Sequence, residues 1–156
     1  MLLATAPPSG CDLVNISGAL AVHEALSRRA IEIVAAAGAT GPRAEALLER
    51  LIDPSASFDL IIGDVGSPGT GVPGARAIAK SMKANEYRLL GWDYMDIPAD
   101  PCGKQSIVVD FISSRDRLVS QVEFTFQQAR LVTANGRLHS FTTGPLPSAP
   151  PDGKGS

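Results

Sequence analysis

The sequence contains no apolar run approaching the ~20 residues that a membrane-spanning helix needs, so no membrane insertion is expected. It has no basic stripe: the 14 Lys and Arg residues are scattered along the chain, with only Arg28 and Arg29 adjacent, and the net charge of −2 offers nothing to a phosphate backbone. Nucleic acid is thereby set aside as a partner. Long uncharged polar tracts are missing and 44% of residues are hydrophobic, which argues against wholesale disorder. No C-x-x-C pair occurs, and the two cysteines, Cys11 and Cys102, lie far apart in the chain. Their spacing carries no metal or disulfide signature, so free thiols in a reducing compartment are expected. Residues 1–10 lack the basic start of a signal peptide, and the expected location is cytoplasmic. No internal repeat is visible. Asp12, His23, Asp110 and His139 are not at metal-ligand spacings, and neither a metal nor another cofactor is expected.

What remains is a chain of 156 residues, enough for one domain with its own core. Proline, glycine and serine mark a flexible leader over 1–16 and a flexible tail over 144–156, leaving a domain over 17–143. A helix is predicted from Ser17, as N-cap, to Gly38, with Val22, Leu26, Ala30, Ile33, Val34 and Ala37 on one face. A second opens at Pro42, carries Ala44, Leu47, Leu48, Leu51 and Ile52, and stops at Pro54. A short strand over 58–62 and a glycine-rich loop over 63–71 lead to a third helix beginning at Pro73. Everything later reads as strand. The segment 86–97 is aromatic-rich, and 105–113 puts Ile107, Val109 and Phe111 opposite Val108, Asp110 and Ile112. After a turn at Ser114-Arg115-Asp116, residues 118–127 alternate, with Leu118, Val122, Phe124 and Phe126 on one face. Asn135-Gly136 is a turn signal between two last strands, 129–134 and 138–143. The fold class is α+β: three N-terminal helices packed on a strongly curved antiparallel sheet.

Three segments carry a family likeness. Leu51-Ile52-Asp53-Pro54-Ser55-Ala56-Ser57-Phe58 resembles the end of helix two and the first strand of the nuclear transport factor 2-like superfamily. Gly71-Val72-Pro73-Gly74-Ala75-Arg76 resembles its glycine-led third helix, and Val122-Glu123-Phe124-Thr125-Phe126 with Arg130-Leu131-Val132 its penultimate hairpin. The resemblance implies a cone-shaped, cystatin-like roll over about 17–143, with helix one plugging the concave face and an apolar cavity inside. Relatives include ketosteroid isomerase, SnoaL-type polyketide cyclases, scytalone dehydratase and limonene epoxide hydrolase, besides non-catalytic binding and dimerisation modules.

Isomerase chemistry needs a carboxylate base beside an acidic carbon and donors aimed at the developing enolate. The resemblance puts the base position at Asp59 or Leu60, the helix-one donor at Ile31 and the late-strand donor at Val122. Both donor positions are apolar, which argues against the steroid-isomerase mechanism. If the chain is catalytic, Asp59, Asp110, His23 and Tyr94 are the polar set, with Trp92, Val122, Phe124 and Phe126 as the ligand wall. Each also has a structural reading: His23 as a core histidine, Asp110 paired with an arginine across the sheet, Trp92 and Tyr94 as sheet packing. Gly69-Thr70-Gly71-Val72-Pro73-Gly74 spells G-x-G-x-x-G, but no parallel sheet for a dinucleotide can be built here, and a tight turn is the simpler use. The expected function is a pocket for a small, mostly apolar ligand, with possible isomerase, cyclase or dehydratase chemistry. The alternative is a non-catalytic dimerisation or interaction module whose cone is filled by its own side chains. A homodimer through the outer face, using Val108 and Ile112, is expected in either case.

Overall fold

A computed structural model describes residues 10–89 and 100–140. Trp92, Tyr94 and the tail from 144 onward, all singled out above, lie outside the described residues. The elements run α1 (Ala19–Ala37), α2 (Pro42–Leu51), β1 (Ile52–Ile62), β2 (Gly69–Thr70), α3 (Gly71–Met82), β3 (Glu86–Leu89), β4 (Gln105–Ser113), β5 (Leu118–Gln127) and β6 (Arg130–Ser140). One open, curved, six-stranded sheet has the order β2-β1-β6-β5-β4-β3. The expected α+β architecture of three helices on a curved sheet is what the chain forms.

The core lies between the helices and one face of the sheet. Val22, Leu26 and Ile33 from α1 are buried in one cluster with Phe124 and Phe126 of β5, as the helical and strand periodicities require. Phe58 and Leu60 of β1 and Phe111 of β4 complete it. Arg76 on α3 ties the helices together: it donates to the Ala39 carbonyl at 2.7 Å and pairs with Glu45 of α2 at 2.7 Å.

Several boundaries differ from the sequence expectation, each for a local reason. Helix α1 starts at Ala19 with Gly18, at φ 95°, as its cap rather than Ser17. Helix α2 ends at Leu51, before Pro54 could act, and Ile52 already belongs to an eleven-residue β1. Pro54 is tolerated because β1 bulges there: Ile52 pairs with Leu131 but Ser57 with Thr133, leaving the residues between them off the ladder. Helix α3 begins at Gly71, with Pro73 inside its first turn. The sheet is not wholly antiparallel, since β1 runs parallel to β6.

Asn135-Gly136 is not a turn. It sits within β6, where Gly136 lies between Val122 of β5 and Leu60 of β1. A Cβ on Gly136 would come 2.8 Å from the Val122 methyl and 2.9 Å from the Gln121 carbonyl, so close approach of strands is what glycine serves here. The true hairpin turn is Gln128-Ala129, with φ of 56° and 62°. That is a primed two-residue turn made without glycine or asparagine.

The cysteines are not free. Cys11 and Cys102 form a disulfide with their Cα atoms 5.8 Å apart. Distance in the chain concealed the pair because the turn before β4 folds back onto the segment ahead of α1. That segment, placed in the leader by composition, is fastened to the domain: Leu13 is buried in the core, and Asp12 pairs with Arg29 of α1. The expectation of a reducing compartment rested on free thiols, and the bridge removes that ground. No described helix is long and apolar enough to cross a membrane.

Candidate functional site

Among the described residues, the proposed polar set does not converge: Asp59, Asp110 and His23 lie apart. On β1, Phe58 and Leu60 enter the core, so Asp59 between them faces the opposite side of the sheet. There it accepts the Ser67 backbone N–H at 2.8 Å and holds the loop after β1. Asp110 also lies on the outer face, opposite Arg88 on β3 and Gln121 on β5. It is 2% exposed and pairs with Arg88 at 2.5 Å, the cross-sheet arginine that its burial demanded. Strands β6 and β5 separate Asp59 from Asp110, a gap of about 14 Å or more at ordinary strand spacing. His23 is buried on α1, on the helix side of the sheet.

Burial pushes the His23 imidazole below its ordinary value of 6.5. A folded-state value lower than the unfolded one means that the unfolded chain takes up a proton first as pH falls. Stability contributed by neutral His23 is therefore complete above pH 6.5 and is lost below it. Urea midpoints compared at pH 7.5 and about 5.5 should fall at the lower pH, and His23→Gln should flatten that fall. An unchanged slope in His23→Gln would remove the histidine from the account.

The ligand wall expected from the sequence is part of the solid core. Val122, Phe124 and Phe126 are each 0% exposed, and Phe124 packs edge-on against Phe111 with ring centroids 6.0 Å apart. Of the two donor positions implied by the resemblance, Val122 lies within the core cluster and Ile31 packs against it. The glycines of G-x-G-x-x-G have a packing role. A Cβ on Gly69 would lie 2.8 Å from the Gly74 Cα, and one on Gly74 would lie 2.8 Å from the Phe58 ring, so both let α3 close onto β1 and β2.

Sequence reasoning missed a cleft of about 590 Å³ where the Cys11 segment, the end of α2 and the β5–β6 turn meet. Arg29, Arg50 and Arg130 reach it from three different elements, with Asp12, Asp53 and Val132 beside them. Arg29 clamps Asp12 through two bonds, of 2.8 and 2.5 Å, and donates to the Ala129 carbonyl at 2.7 Å. Hydrogen bonding to Arg29 holds the Asp12 carboxyl below the usual carboxylate range. The backbone N–H and hydroxyl of Ser55 do the same for Asp53. Arg130 donates to the Ile52 carbonyl at 2.9 Å. On the remaining side, Gln128 N–H bonds the Cys102 carbonyl at 2.9 Å, so the disulfide turn and the hairpin turn brace each other. Left-handed residues other than glycine cost about 1 kcal/mol or more each, and these bonds hold Gln128 and Ala129 there. The signal available in the sequence was three arginines and two aspartates on separate elements, which only the folded chain brings together.

No family model matches the chain, and neither does any curated protein. Solved structures do. The chain is similar to a cystatin-like fold protein from Burkholderia xenovorans, with a TM-score of 0.50 at 12% identity, over 78% of this chain and 94% of that one. A nuclear transport factor 2-like protein of unknown function from Silicibacter pomeroyi matches at a TM-score of 0.48 and 15% identity, over 74% and 94% of the two chains. A candidate isomerase of the SnoaL-like family from Agrobacterium tumefaciens matches at 0.47 and 16%, over 76% and 98%. At these identities the likeness is one of fold. Element order, a helix-covered curved sheet and the similarity at a TM-score of 0.50 agree: the chain has a cystatin-like α+β fold.

Proposed function

We propose that this protein binds a small molecule in the cleft beside the β5–β6 turn, and that its sheet carboxylates serve the fold rather than proton transfer. The observation that supports this most is the separation of Asp59, Asp110 and His23 on two strands and a helix, while the cleft gathers five charged groups around open volume. Acid–base chemistry of the isomerase or dehydratase kind needs its groups within hydrogen-bond reach of one substrate. Ligand-observed NMR against a library of small acids and apolar fragments tests the reading. Val132→Trp, which fills the cleft, should abolish the hits. Asp110→Ala should keep them while lowering stability by about 2 kcal/mol, because Arg88 is left partly buried without its carboxylate. Hits that survive Val132→Trp but vanish in Asp59→Ala or Asp110→Ala would place the site elsewhere.

The complete burial of Val122, Phe124 and Phe126 also supports a second reading, an interaction module that pairs through its outer face. Val108 is half-buried beside a shallow groove of about 410 Å³ that Ile61 and Arg137 also line. Ile112, the other residue expected in the patch, is only 5% exposed within the single chain, so Val108 and Ile61 are the large apolar side chains that line the groove. Light scattering should give twice the 16.3 kDa chain mass for the protein and the single mass for Val108→Arg. A single mass at every concentration for the unmodified protein would exclude pairing.

A further inference from the structure

We infer that the cleft beside the β5–β6 turn recognises a small carboxylate bearing a short apolar chain, with Arg50 as the anchoring cation. The inference rests on the small-molecule reading above and deepens it. Of the charged groups lining the cleft, most are already satisfied within the fold. Arg29 is bound to Asp12 and the Ala129 carbonyl, Asp53 to Ser55, and Arg130 to the Ile52 carbonyl. Arg50 is different: it is exposed and, among the described residues, makes no hydrogen bond or close ion pair, feeling only the longer-range attraction of Asp12. Three arginines face two aspartates in the cleft, and Asp12 is paired with Arg29, so the excess charge offered to a ligand is positive. The guanidinium matches a carboxylate with two parallel N–H donors, and Leu51, Ala129 and Val132 supply apolar surface for a chain behind it. The walls are set before any ligand arrives, since the disulfide, the Arg29 clamp and the Gln128–Cys102 bond fix three sides. Preorganisation of that kind lowers the entropy lost on binding.

Titration calorimetry with hexanoate, hexan-1-ol and inorganic phosphate, on the intact oxidised protein, tests this. Hexanoate should bind, hexan-1-ol and phosphate should bind more weakly, and added salt should weaken hexanoate. Arg50→Gln should lose roughly tenfold or more in hexanoate affinity, the loss expected for a charge-assisted pair. Arg43→Gln, an exposed change on α2 outside the cleft, should leave hexanoate affinity unchanged. Equal binding of hexanoate and hexan-1-ol, insensitive to Arg50→Gln, overturns the carboxylate inference while the small-molecule reading stands. Tighter binding of phosphate than hexanoate also overturns it. No binding of any probe counts against both.

Discussion

Reducing the Cys11–Cys102 bridge should lower unfolding stability by about 4 kcal/mol, the loss expected when a closed loop of this length is opened in the unfolded chain. The bridge spans 91 residues, more than half the chain, so its effect on unfolded-state freedom is near the upper end for a single disulfide. A drop of that size corresponds to roughly 10 °C in melting temperature for a domain this large. Urea unfolding of the oxidised protein, the same protein with reductant, and Cys11→Ser measures it. Thiol titration of unfolded, unreduced protein should find no reactive cysteine. Reactive thiols in that sample, or identical midpoints with and without reductant, would dismiss the bridge. The result bears on function because Cys11 is next to Asp12, which forms one wall of the cleft. Reduction should therefore weaken hexanoate binding as well as the fold.

The second large effect is expected in the core. Phe124→Ala should cost about 4 kcal/mol, combining lost transfer energy with a cavity that its neighbours cannot close. The neighbours are held by long-range order: Phe111 lies edge-on to Phe124, and Phe58, Phe126 and Leu26 are each at most 1% exposed. The new void should admit benzene, visible as a rise in melting temperature of the variant that the parent protein lacks. A loss below about 1 kcal/mol would mean that the packing around Phe124 is already loose, against its complete burial.

Much of the fold could be read from the chain because its strong signals are periodic. The stripe Val22, Leu26, Ala30, Ile33 and the alternation Val122, Phe124, Phe126 each name a buried face without reference to any partner, and all are buried. Signals of one or two residues fared worse, because they have several uses. Glycine at 136 suits a turn, but it also suits a strand squeezed between Val122 and Leu60, and strand register decided between them. Pro54 suits a helix stop, but it also fits a bulge in β1, which needs no N–H at that point. Asp110 was legible as a buried carboxylate in need of an arginine, and Arg88 is that arginine.

The candidate site was least legible. Its groups come from the segment before α1, from α1, α2 and β1, and from the β5–β6 hairpin, and nothing local ties Arg50 to Asp12. The same holds for Cys11 and Cys102, whose pairing depends on a turn folding back across the domain. The family resemblance pointed into the cone, towards Val122 and Phe124, because it implied a cavity there. In this chain the aromatic and aliphatic side chains at those positions pack against one another.

The most direct test of the account is to map where a bound small carboxylate perturbs the backbone amides of the isotopically labelled protein. With saturating hexanoate, shifts should concentrate at Asp12, Arg50, Asp53, Gln128 and Arg130, the residues that line the cleft. Leu26, Phe58, Val122 and Phe124 should stay unmoved. Shifts centred on those four core residues, with the cleft residues silent, would contradict it.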